Sequence, residues 1–229
     1  MTTIASRRED GRPDAAEREA LVRRGLALNY ATLAYNTLEA IISLIAGLMA
    51  GSVALVGFGF DSVIEVSASL AALWRLRSDV EIERRERVER RTLRLIGWSF
   101  LALAAYVLYD SARSLLMREH PEGSIVGIVI LALSVVVMPL LARAKRRVAR
   151  AMSSNALESE ARQTSLCAYL SAIALAGILL NALLGWWWAD PVAALAMVPI
   201  IAMEGVQGLR ADPCCDARTP LPAARSTTQ

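Results

Sequence analysis

The chain has 229 residues, 55% of them hydrophobic, with a mean hydropathy of +0.41. That composition lies far from a soluble domain and implies an integral membrane protein. The net charge of +3 and pI near 9.0 do not imply a nucleic-acid partner. The excess cations flank the apolar runs, where anionic lipid headgroups account for them.

In chain order, residues 1–25 mix arginines with acids and lack an apolar signal core, so they read as a cytoplasmic tail rather than a removed leader. Six apolar runs follow, each near the length that crosses about 30 Å of hydrocarbon: Leu26–Met49, Val53–Trp74, Leu93–Leu116, Ser124–Leu141, Ala156–Leu184 and Pro191–Val206. The expected fold is an all-α membrane protein with six transmembrane helices, spanning 26–207, followed by a short disordered tail at 208–229. Arg23 and Arg24, the Arg75–Arg94 linker, the run "ARAKRRVAR" (Ala142–Arg150) and Arg210 all fall on one side. The positive-inside rule makes that side the cytoplasm and places both termini there; the expected location is the plasma (inner) membrane. The opposite connections, "MAGS", "MREHPEG" and "GWWWADP", are nearly free of cations, and Asp190 with Pro191 reads as the N-cap and first residue of the last helix. Within that linker, Arg75–Arg91, with Asp79, Glu81, Glu83, Glu86 and Glu89 among its arginines, reads as a solvated helical extension carrying intrahelical ion pairs.

Several polar residues lie where the bilayer should be. In "LVGFGFDSVIEVSASLAAL" (Leu55–Leu73), Asp61 and Glu65 are four apart and share one helix face near mid-span. Each costs about 2.5–3.5 kcal/mol to insert at that depth, so the pair implies a compensating cation or bound protons. Gly57 and Gly59, one turn earlier, allow a neighbouring helix to approach closely. The first helix adds Glu39, with Asn36 on the same face and Asn29 and Tyr35 nearby. In the fifth, Glu160, Gln163 and Cys167 follow i, i+3, i+7 spacing along one stripe. Carboxylate, amide oxygen and thiolate are all ligands for a divalent transition metal. Each also has a plainer role: a protonated structural carboxyl, a solvated Glu160 paired with Arg150 or Arg162, a cysteine acting as a small hydrophobe. His120, the single histidine, falls in an outer connection, and Asp110 with Arg113 reads as a local ion pair. Cys214 and Cys215 are adjacent, lie in the tail and face a reducing compartment. No nucleophile–base pair, phosphate loop or zinc-protease spacing is present, so an enzyme is not expected.

The segment "GSVALVGFGFDSVIEV" (Gly51–Val66), set in six helices with both termini inside, resembles the cation diffusion facilitator family of divalent metal/proton antiporters. The resemblance spans about Leu26–Gln207. It implies a metal site with Asp61 and Glu65 as the helix-two half, Glu65 replacing the more usual aspartate. Counted back from "GWWWAD", the helix-five half falls on Gln163 and Cys167, where the family carries an acid or histidine and an aspartate; a slip of one residue selects Thr164. Glu160 matches an acid one turn earlier, and Glu39, Glu160, Asn36 and Thr164 stand as additional metal or proton sites. The resemblance further implies zinc or another divalent cation as transported substrate with no permanent cofactor, and it leaves a homodimer open. The chain looks like the short branch without the cytoplasmic metal-binding domain. A competing expectation is a small membrane regulatory subunit that docks partner helices through the small residues of helix two and carries no ion. Hydropathy alone would begin helix five near Leu166 and strand Cys167 at the membrane surface. A start near Ala156, with early turns lining a hydrated cavity, brings Cys167 to the depth of Asp61 and Glu65.

Overall fold

The computed structural model describes residues 15–77, 82–152 and 155–210. These form α1 (Ala15–Ala50), α2 (Val53–Arg77), α3 (Ile82–Met117), α4 (Ile125–Met152), α5 (Asn155–Leu184) and α6 (Ala189–Arg210). All six contain a stretch long and apolar enough to cross a membrane. Cys214 and Cys215 lie outside the described residues, as do residues 78–81 of the arginine-rich linker.

The helices run past the apolar stretches that define them. α1 begins at Ala15, well before Leu26, and α4 continues to Met152, so "ARAKRRVAR" is helix rather than a connecting loop. The correction has a plain cause: hydropathy marks where lipid ends, whereas backbone hydrogen bonding continues into water wherever residues such as Ala and Arg favour it. α5 begins at Asn155, and that start carries Cys167 deep into the bundle.

Neighbour contacts run α1–α4–α5–α6–α3–α2 and back to α1, with α2 also touching α5 and α6 across the middle. α2 is therefore the central helix, and 56% of its most apolar stretch is buried against 28–39% in the other five. Its glycines make this possible. A Cβ on Gly59 would stand 3.0 Å from the Leu44 backbone nitrogen of α1, and one on Gly57 would stand 3.0 Å from Val107 of α3. The small residues of α2 thus admit helices of the same chain.

The two ends of the bundle differ. One, the hairpin end, carries the α1–α2, α3–α4 and α5–α6 connections; the other, the terminal end, carries the start of α1 and the end of α6. At the hairpin end the Glu122 N–H donates to the Ala50 carbonyl (2.8 Å), and the Asn181 amide donates to the Pro121 carbonyl (2.7 Å). Asp190 lies here, fully buried. Its carboxylate accepts from the Ser52 hydroxyl (2.6 Å) and from the Val53 and Ala54 N–H groups (2.9 and 3.4 Å). It caps α2, not its own helix, satisfying donors that every helix N-terminus leaves open. Asp110 and Arg113 do not pair: Arg113 contacts Glu119 at 3.2 Å, and Asp110 accepts from Tyr106 at 3.4 Å. Arg118 adopts a left-handed φ of 53° in that turn, and the next N–H, of Glu119, donates to the Ser114 carbonyl at 3.0 Å. His120 is exposed and packs its ring 5.6 Å from Trp187, while Trp186 and Trp188 stack at 5.2 Å.

Candidate metal centre

Midway along α2, the helical repeat places Asp61 and Glu65 on the face turned to α5. Counting rise from Val53, they lie about 12 and 18 Å from the hairpin end. α5 brings Cys167 against them, and one ligand atom from each of Asp61, Glu65 and Cys167 falls within 4.8 Å of the others. Their relative exposures are 3%, 6% and 0%, so none is hydrated from bulk. Ligands about 2.0–2.3 Å from a tetrahedral zinc stand about 3.5 Å apart, a separation that lies within this spacing.

Two atoms set this cluster apart from an ordinary buried polar network. Asp61 Oδ2 and Asn36 Oδ1 are buried and have no hydrogen-bond partner. Asn36 donates its Nδ2 to Glu65 Oε2 at 2.8 Å, which leaves the amide oxygen lone pairs free beside the cluster. Orphaned buried acceptors are rare because each forfeits its hydration without return. Two of them beside a carboxylate–thiol cluster suit a cation that supplies the missing partner.

Glu39 is close by and differently treated. It is fully buried, accepts from the Ser62 hydroxyl at 3.0 Å and the Cys167 thiol at 3.8 Å, and is also bonded by Ser134. The Tyr35 hydroxyl extends this network through Ser134 at 2.9 Å. Glu39 therefore touches the cluster through Cys167 with both oxygens engaged. Gln163 precedes Cys167 by one turn and is partly buried.

Toward the terminal end, Glu160 pairs with neither Arg150 nor Arg162. Arg162 contacts Glu158 at 3.5 Å; Glu160 contacts Lys145 of α4 at 3.6 Å and accepts from Asn29 of α1 at 3.5 Å. Thr164 accepts from Lys145 at 3.4 Å and donates to the Glu160 carbonyl. Sequence reasoning missed two charged residues around this centre. Lys145 is buried and within electrostatic reach of Glu65. Glu204 of α6, half-buried, is near enough to repel Asp61. Glu204 carried a signal, being an acid inside an apolar run. Lys145 carried none, since it sits in a basic stretch that membrane orientation already explains.

The sequence model of the cation efflux transmembrane domain matches residues 86–211, more than half of the chain. The chain belongs to the cation efflux family. No curated protein matches it. Cation efflux proteins are transporters and not enzymes, which agrees with the absence of catalytic motifs noted above. The matched residues cover nearly all of α3 and the whole of α4–α6, and so include Glu160, Gln163 and Cys167. Asp61 and Glu65 lie outside them, and what joins these two acids to the family segment is the packing of α2 on α5. A buried Asp–Glu–Cys cluster between these helices supports a metal site within the bundle of a cation efflux transporter.

Proposed function

We propose that this cation efflux protein exports a divalent metal, zinc foremost, from the cytoplasm across the plasma or inner membrane in exchange for protons. The terminal end is the cytoplasmic one in this reading, as the arginine distribution requires. Asp61, Glu65 and Cys167 form the core of the substrate site, with Gln163 and Asn36 contributing neutral oxygens. The observation that carries the reading is the unpartnered Asp61 Oδ2 inside a three-residue cluster of metal-binding side chains.

The coupling follows from ligand chemistry. A carboxylate or thiol must shed its proton to hold a metal, so metal binding releases protons and proton binding releases metal. A dication reaching the cluster from the cytoplasmic side displaces protons from Asp61, Glu65 and Cys167. Rocking of the bundle then opens the site outward, where metal leaves and protons return. A carboxylate–thiolate set without histidine suits zinc and cadmium best and binds manganese more weakly.

A docking subunit is less well supported, because Gly57 and Gly59 already receive α3 and α1 of the same chain. Purified protein in liposomes containing a zinc-sensitive dye, driven by a pH gradient, tests the proposal. Zinc flux is expected in the wild type and its loss in Asp61→Ala; flux that persists unchanged in that variant rejects this site.

A further inference from the structure

Lys145 is a buried cation, its side chain 3% exposed. An ammonium group taken out of water loses hydration worth several kcal/mol, and one ion pair seldom restores it. Its partner is poorly matched for the purpose. The pair spans 3.6 Å, and Glu160 Oε2 has no hydrogen bond at all. The pair is not the sole polar link between α4 and α5, because Arg146 also donates to Ser165 across the same interface at 2.7 Å. The position of the ammonium is more informative than its pairing. It rests on Thr164, which precedes Cys167 by three residues and lies about 4.5 Å below it along α5. On one side of Lys145 is Glu160, 31% exposed and the outermost acid on this stripe; on the other is the sealed Asp61–Glu65–Cys167 cluster, with Glu65 in electrostatic reach.

The geometry points to Lys145 as a tethered counter-cation that guards the passage between Glu160 and the metal cluster. A dication arriving from the terminal end meets Glu160 first and exchanges there with the ammonium. Once metal occupies the cluster, the fixed charge of Lys145 repels it, weakening retention and speeding release. With the cluster empty, the same charge offsets Glu65. Thr164 and Asn29 hold the two partners of the exchange in line. No proton needs to move on Lys145 for any of this; a permanently charged side chain suffices.

This inference rests on the metal-transport reading above and is tested with zinc as the probe, by calorimetry on the full-length protein in detergent. Lys145→Gln removes the repelling charge and is expected to bind zinc roughly tenfold more tightly, while Lys145→Arg keeps wild-type affinity. Glu160→Gln frees the ammonium to turn toward Glu65 and is expected to bind zinc roughly tenfold more weakly. A merely structural ion pair would shift both variants in the same direction. Unchanged or weakened affinity in folded Lys145→Gln overturns the proposal, as does unchanged or tightened affinity in Glu160→Gln. Should Lys145→Gln fail to give a monodisperse protein, Glu160→Gln decides. Wild-type protein that binds no zinc, or binds it equally well with Asp61→Ala, removes the transport reading itself. Wild-type binding that depends on Asp61 but ignores both new variants removes only the guard.

Discussion

Two buried aspartates on either side of the α2 N-terminal turns meet opposite environments. Asp190, at the hairpin end, has its carboxylate filled by one hydroxyl and two backbone N–H groups. Asp61, about 12 Å further in, leaves Oδ2 without a partner and faces Glu65, Cys167 and the repulsion of Glu204. Burial and residue type are the same; what differs is who satisfies the charge. A carboxylate completed by the protein holds structure, and one left incomplete waits for something that the protein does not supply.

Exchanging the roles of these two residues gives the largest expected effect. Asp190→Ala strands the α2 N-terminal donors in a buried site and should lower stability by about 3 kcal/mol. Its remaining folded fraction should bind zinc normally. Asp61→Asn should do the reverse, leaving thermal unfolding in detergent unchanged or slightly improved while zinc affinity falls about a hundredfold, because one anionic ligand is lost. Parallel melts and calorimetric titrations check both halves. A destabilised Asp61→Asn with intact zinc binding would erase the distinction.

The proton count sharpens the same contrast at intermediate size. Zinc binding to the wild type should release protons, seen as a dependence of the apparent enthalpy on buffer ionisation, and affinity should rise with pH. Asp61→Asn should release about one proton fewer, and the Asp190 variant the wild-type number. Cys167→Ser exchanges a soft ligand for a hard neutral one. It should cost about tenfold in zinc and cadmium affinity with little change for manganese, measured across a metal panel.

How much of this was legible beforehand depended on whether a residue contradicted its surroundings. Asp61 and Glu65 stood out because two carboxylates in an apolar run are anomalous. Cys167 had no such contrast and surfaced through spacing along α5, which required a helix beginning earlier than hydropathy indicated. Lys145 was invisible, because a lysine among arginines at a membrane boundary is already explained by orientation. Only the continuation of α4 to Met152 turns it inward. Asp190 was recognised as a cap but assigned to the wrong helix. An Asp–Pro pair looks the same whether the carboxylate bonds its own first turn or that of a neighbour, and tertiary packing decides between them.

Asn36 gives the smallest and most discriminating test. It reaches the cluster from α1 through its 2.8 Å bond to Glu65, and, unlike Glu39 on the same helix, it keeps an unpartnered oxygen there. If the oxygen joins the metal, Asn36→Ala removes a neutral ligand and a donor together, and zinc affinity should fall about fivefold by calorimetry, with unfolding shifted by about 1 kcal/mol or less. Asn36→Asp separates the two roles. It keeps an oxygen but loses the donor to Glu65 and adds charge, so it should bind zinc at least as tightly as the wild type while crowding three carboxyl groups in the empty state. Tighter binding with slower release would show α1 taking part in holding the metal. Equal losses in both variants would limit Asn36 to orienting Glu65, and the incomplete valence of the site would then rest on Asp61 alone.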